Sequence, residues 1–304
     1  MLPSGSADAA GVLYRVQHET RYEYEAPVEL AHHLAQLRPL SLPGLQECEQ
    51  YECEIQPRPQ HLSTDVDVHG NERLFFAHYA SHDTLSVRAL SLVRVRAPAQ
   101  PDWAASPAWE QVRAMLRYRA GRPNLPAADF SFGSDFSPVF DEAAVFAAPS
   151  FSPGRPLLDA AHDLMRRIHA TFTYDPESTE VHTRAPQALE LRHGVCQDYA
   201  HVMLSALRSL GLAARYVSGY LRSHPRPGEQ ALVGADASHA WVSVWCPSNG
   251  WVEFDPTNDR RPAADYVRVA TGRDFADVSP LRGVIRGGGR HVLHVAVHVA
   301  AASA

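Results

Sequence analysis

Three side chains with acyl-transfer chemistry occur in a fixed order, each at the edge of an element that can be read from the sequence. Cys196 lies in Gly194-Val195-Cys196-Gln197-Asp198-Tyr199-Ala200-His201, His239 in Ser238-His239-Ala240-Trp241, and Asp255 in Phe254-Asp255-Pro256-Thr257. In such a set a thiolate attacks a carbonyl, an imidazole takes and returns the proton, and a carboxylate orients the imidazole.

Cys196 follows a glycine and opens a helix predicted to run to about Leu210. The unpaired N–H groups at a helix N-terminus carry partial positive charge and favour a thiolate. The same groups are suited to holding a tetrahedral oxyanion. Gly194 permits a sharp turn and leaves room for a substrate backbone. Gly194, Gln197, Gln187 and Trp241 are the candidates for substrate or oxyanion contacts. Glu190, near Gln187, is a further side chain within sequence reach of the cysteine. Trp241 is expected to wall the cleft, with plain core packing as the alternative. Asp198 either serves the site or adds a favourable charge to the first helical turn.

A hairpin relates the histidine to the aspartate. Trp241–Trp245 and Trp251–Phe254 flank Cys246-Pro247-Ser248-Asn249-Gly250, a short polar turn. If Trp245 pairs with Trp251, Trp241 opposes Asp255. His239, two residues earlier, is then on the same face and diagonal to Asp255, within reach of its carboxylate. A bulge would bring them closer. Packing the Cys196 helix on this sheet completes the set. Taken alone, Asp255 before Pro256 reads as a turn initiator and His239 as an ordinary strand residue. Order and geometry together favour the functional reading.

These residues need a scaffold. Tyr14–Tyr24 alternates with period two, as a half-buried strand does. Glu49–Ile55, Leu74–Tyr79 after a Gly70-Asn71 turn, and Leu85–Val95 continue the pattern, so residues 12–98 read as an antiparallel β domain of sandwich type. Residues 99–154 are rich in proline and read as a linker or irregular segment, with one helix possible at Trp109–Tyr118. Residues 155–300 form the segment carrying the three motifs. It starts with an amphipathic helix over Leu157–Ala170. Strands are predicted at Ala213–Leu221, His239–Trp245 and Trp251–Phe254, and a final one at Val292–Val299.

The bulk properties narrow the options. The chain has 304 residues, 45% hydrophobic and 20% charged, with a formal net charge of −6. That suits a packed globular protein and argues against nucleic acid as a partner. No run of 18 apolar residues predicts a membrane span, and Met1–Gly11 does not read as a signal peptide. Four cysteines are too few for a disulfide scaffold, so a reducing, cytoplasmic location is expected. Cys48 and Cys53 are an odd number of residues apart and should face opposite ways along a strand. His294 and His298, four residues apart on the last strand, would lie about 13 Å apart and so share no ion. No metal and no other cofactor is expected, and no EF-hand-like loop suggests calcium.

The three motifs, with Glu253 through Asn258 around the aspartate, resemble those of the transglutaminase-like superfamily in its bacterial branch. Asp67-Val68-His69-Gly70-Asn71 resembles that branch's β-rich N-terminal region, and Gly272 through Gly283 its C-terminal signature. The resemblance implies an α+β fold: a papain-like core, with a cysteine helix packed on an antiparallel sheet, preceded by a β-sandwich-like domain. It assigns Cys196 as nucleophile, His239 as general base and acid, and Asp255 as orienting group. It implies acyl transfer on peptide or side-chain amides of a protein or peptide substrate through a thioacyl intermediate. Hydrolysis, as in an amidase or cysteine protease, is the favoured resolution. Transfer to an amine, as in a transglutaminase or transpeptidase, is the first alternative. A non-catalytic binding module on the same fold is the second. The sequence leaves oligomeric state open.

Overall fold

The computed structural model describes residues 11–121, 123–177, 180–222, 233–234 and 238–302. The N-terminal stretch read as lacking a signal peptide lies almost wholly outside them. The strands are β1 (Val12–Ala35), β2 (Gln46–Gln56), β3 (His61–Val66), β4 (Glu72–His78) and β5 (His82–Val95), then the short β6 (Thr173–Tyr174) and β7 (His193–Gly194). They continue with β8 (Ala214–Leu221), β9 (His239–Cys246), β10 (Gly250–Phe254), β11 (Tyr266–Gly272), β12 (Leu281–Gly287) and β13 (His291–Ala301). The helices are α1 (Trp109–Leu116), α2 (Asp141–Ala147), α3 (Leu157–Thr171), α4 (Ala185–Leu191), α5 (Cys196–Ser209) and α6 (Phe275–Val278). No described helix is long and apolar enough to cross a membrane.

The fold is α+β with antiparallel sheets. Strand β1 is the shared rail of the N-terminal sheet. Its first half pairs with β5 and β13, its second half with β4 and β12. The register with β5 breaks between Glu23 and Val28, where Pro27 has no N–H to give to a ladder. The two halves enclose one apolar cluster, with Tyr22, Leu85 and Val87 from one side and Ala35, Phe76 and Leu281 from the other. This is the sandwich-like arrangement.

The last two strands differ from the expectation that residues 155–300 stay together. Both β12 and β13 pair with β1 instead. Period-two patterning fixes a strand but carries no information on its partner. The proline-rich stretch also holds more structure than its composition suggests. Trp109, Val112, Leu116, Ala127, Ala143, Ala147 and Phe151 join the same core as α3 and α5. Buried Arg208 of α5 pins this stretch, donating from Nε to Phe130 O and from Nη1 to the Ser134 and Ser137 hydroxyls.

Cys48 and Cys53 correct a second expectation. A bulge between Cys48 and Gln50 adds one residue, so the two cysteines oppose Val93 and Ala89 and share a face. Both are free thiols.

The second sheet has the order β10-β9-β8-β11. Helix α5 packs on the face carrying Ala214, Tyr216, Ala240, Val242 and Val244. Tyr220, Val267 and Val269 meet Tyr14, Val16, Val93, Val95, Val297 and Val299 of the N-terminal sheet. Strand β11 is an edge strand of its sheet, and its outer peptide groups need partners. Side-chain amides from the N-terminal region supply them. Gln46 donates to Arg268 O and accepts from Arg268 N. Asn71 donates to Thr271 O and accepts from Thr271 N.

Candidate active site

Gly194 is the second residue of β7, and its φ of +152° suits glycine. A Cβ there would lie 2.4 Å from Asp198 Oδ2. The glycine therefore clears space for Asp198, whose Oδ2 accepts the Val195 N–H at 2.8 Å. That contact closes the first turn of α5 and fixes Cys196 as its first residue. The Cys196 side is nearly sealed, 8% exposed.

The hairpin has the register expected from the sequence. Trp251 pairs with Trp245 and Phe254 with Val242. His239 is the first residue of β9, opposite Gly219, and Trp241 is opposite Val217. Both side chains lie on the face away from Ala240 and Val242, which pack on α5. The thiol is therefore met around the end of the strand, where Cys196 Sγ lies 3.9 Å from Ser238 O.

His239 Nε2 bonds Asp255 Oδ2 at 2.8 Å, with both side chains fully buried. Its other nitrogen, Nδ1, is buried and has no N or O partner among the described residues. Cys196 acts on the same ring as a charge and as a hydrogen-bond acceptor. Burial opposes charge on the imidazole, but Asp255 and Cys196 outweigh it and push the pKa up to about 10. Burial also penalises the Asp255 carboxylate. His239, Asn258 and Tyr266 overcome that penalty and hold it below its ordinary range.

Asp255 is held by more than the histidine. Its Oδ1 accepts the N–H groups of Thr257 at 2.9 Å and Asn258 at 3.2 Å, the turn that Asp-Pro sequences favour. Its Oδ2 also accepts the Asn258 amide at 2.8 Å and the Tyr266 hydroxyl at 2.7 Å. The reading of Asp255 as a turn former holds, and the same carboxylate also engages the His239 ring. Tyr266 is a site residue that sequence reasoning missed, because it sits on β11, two strands away from β9. Asn258 was within the third motif, and its spacing of three from an Asp-Pro turn was the available signal. Tyr174, also missed, is close enough to feel Cys196: burial and then Cys196 raise its phenol pKa.

The remaining candidates fall elsewhere. Trp241 is fully buried, so it does not wall an open cleft. It stacks on His239 with ring centroids 6.0 Å apart and meets the Tyr266 ring edge-on at 5.3 Å. Gln197 donates its side-chain amide to Val181 O at 2.9 Å, which anchors the preceding segment. Gln187 is exposed on α4 and makes no hydrogen bond to Cys196 or His239. Glu190 lines a groove of about 740 Å³ between α2 and α4, whose lining includes neither Cys196 nor His239. Helix periodicity places a side chain on a face, but the turn from α4 into β7 decides where that face looks.

The profile of the Transglutaminase-like superfamily matches residues 146–256, and that of the Bacterial transglutaminase-like N-terminal region matches residues 14–94. An uncharacterized protein of Mycobacterium tuberculosis is 39% identical over 279 residues, covering 90% of this chain and 87% of its own. A protein-glutamine gamma-glutamyltransferase of Pseudomonas aeruginosa is 36% identical over 102 residues, which are 33% of this chain and 15% of that one. A crystal structure from Cytophaga hutchinsonii, whose description proposes a cysteine protease, superposes with a TM-score of 0.74. It is 19% identical and covers 97% of this chain and 92% of that one, a likeness of fold.

Proposed function

This chain belongs to the transglutaminase-like superfamily, whose shared chemistry is cysteine-based acyl transfer, and on that premise we propose that it is a cysteine hydrolase acting on peptide or side-chain amides. The observation that carries the reading is the two-sided engagement of one imidazole: Asp255 on Nε2 at 2.8 Å, with Nδ1 left for Cys196. In this reading the Cys196 thiolate attacks the amide carbonyl, and the N–H groups opening α5 bind the resulting oxyanion. His239 gives its proton to the leaving amine. Water, deprotonated by His239, then resolves the thioacyl intermediate and releases the acid.

A second reading replaces water with an amine acceptor. The similarity of the core to the Pseudomonas aeruginosa glutamyltransferase supports it. A free thiol nucleophile suits a reducing compartment, so we place the protein in the cytoplasm, which fractionation of the native host tests.

The first test is the pH dependence of iodoacetamide alkylation at Cys196, read by mass spectrometry, in the native chain and His239→Ala. Fast labelling near neutral pH that collapses in the variant is expected. Slow labelling in both, rising only above about pH 8 as for an ordinary thiol, would overturn the reading and favour a binding module. Peptide amides offered with and without a primary amine then separate the two enzymatic readings. Free acid in both mixtures supports hydrolysis, and an amine adduct supports transfer.

A further inference from the structure

Among the described residues, the N-terminal β region places no side chain in a hydrogen bond or ring contact with Cys196, His239 or Asp255. It is nevertheless joined to them by an unbroken line of hydrogen bonds. Gln46, 2% exposed, donates from Nε2 to Arg268 O at 2.7 Å and accepts the Arg268 N–H at 2.8 Å. Leu40 N donates to the same carbonyl. The side chain of Arg268, itself fully buried, donates from Nη1 to Tyr266 O at 2.8 Å and grips the Glu253 carboxylate of β10. Tyr266 Oη then donates to Asp255 Oδ2, the oxygen that His239 engages.

The register of β11 gives this line its purpose. The ladder to β8 slips between Arg268 and Ala270. Such a bulge changes the register of the residues that follow it and disrupts the ladder locally, so the edge strand's outer groups look for other partners. The side-chain amides of Gln46 and Asn71 bracket that slip, at Arg268 and at Thr271. Tyr266 lies two residues before the first of these anchors.

We infer that Gln46 is a positioning residue for the reaction: the N-terminal region clamps β11 so that the Tyr266 hydroxyl stays on Asp255. The region's contribution to chemistry is then orientation of the His239–Asp255 pair. The inference rests on the proposed Cys196–His239 chemistry and adds one requirement to it.

The test uses the full chain and iodoacetamide as probe. The rate of Cys196 alkylation against pH is measured for the native chain, Tyr266→Phe, Gln46→Leu and the double variant, with thermal melting recorded for each. Removing the Tyr266 donor from Asp255 moves the acid limb of the profile upward by about 0.5–1 pH unit, the worth of one hydrogen bond. Gln46→Leu moves the same limb the same way, and the rate at pH 7 falls about three- to tenfold in each single variant. The double variant loses little more than either single, because both act through one contact. An acid limb at its native position in Gln46→Leu, with only the melting temperature lowered, overturns the inference, as does full additivity. Should Gln46→Leu fail to fold, Gln46→Glu keeps the acceptor for Arg268 N–H and drops the donor, and it is judged by the same limb. Failure of the underlying chemistry looks different: the native chain then labels slowly and His239→Ala changes nothing.

Discussion

Gly194 and Asp198 are packed so closely that neither position tolerates added bulk. The space of a Cβ on Gly194 is already occupied by the Asp198 carboxylate, which caps the turn that presents Cys196. Asp198→Ala is expected to cost about 1 kcal/mol, the worth of one helix cap. Gly194→Ala is expected to cost more, because it adds a steric conflict to the lost cap. Urea denaturation midpoints measure both, and alkylation of Cys196 should slow in both. Unchanged stability in Gly194→Ala would sink this account.

Two buried histidines should give stability opposite dependences on pH. His239 is raised in the folded chain from 6.5 to about 10. Its contribution is therefore complete below pH 6.5 and is lost as pH rises toward 10. His201 is lowered from 6.5 to about 3, chiefly by burial, and its Nε2 accepts the Phe275 N–H at 3.2 Å. Its contribution is present above pH 6.5 and is lost as pH falls toward 3. The stability gap between the native chain and His239→Gln should narrow from pH 6.5 to 10. The gap to His201→Asn should narrow from pH 6.5 toward 3. Unfolding free energies at three pH values decide both, and gaps that do not vary with pH would refute them.

Arg208 should be the most costly single polar residue to lose outside the site. Its guanidinium is buried and also donates to Ala214 O and Arg273 O, beyond its contacts with residues 130–137. Arg208→Met strands these acceptors without water. A loss of about 1–3 kcal/mol is expected, the cost of leaving buried acceptors unpaired. Chemical denaturation measures the loss. Because the 130–137 stretch is anchored through this side chain, limited proteolysis should also cut it faster in the variant.

Much of the site was legible in the chain. Cys196 begins a helix because a glycine and an extended residue precede it and an acid caps it. The register of β9 and β10 follows from the length of one polar turn, and it places His239 diagonal to Asp255. For Trp241 the sequence left cleft wall and core packing open, because period two assigns a side chain to a face but not to what covers that face. Its neighbour Gly219 has no room for a Cβ, which would come within 2.5 Å of the indole, and only packing reveals that fit. Gln187 and Glu190 shared the same limit.

By itself, then, the sequence determined local quantities: the period-two strands near the start, the helix that Cys196 opens, the hairpin carrying His239 and leading into Asp255, and the order of cysteine, histidine and aspartate. These follow from periodicity, turn chemistry and spacing, all of which act over a few residues. Tertiary structure alone decided the partners of β12 and β13, the approach of the thiol around the end of β9, and the convergence of Tyr266 and Asn258 on Asp255. It also decided that Gln46 and Asn71 would hold the edge of β11. Those outcomes join residues as far apart in the chain as Tyr14 and Ala301, and they are chosen by burial and by the need of every buried donor and acceptor for a partner.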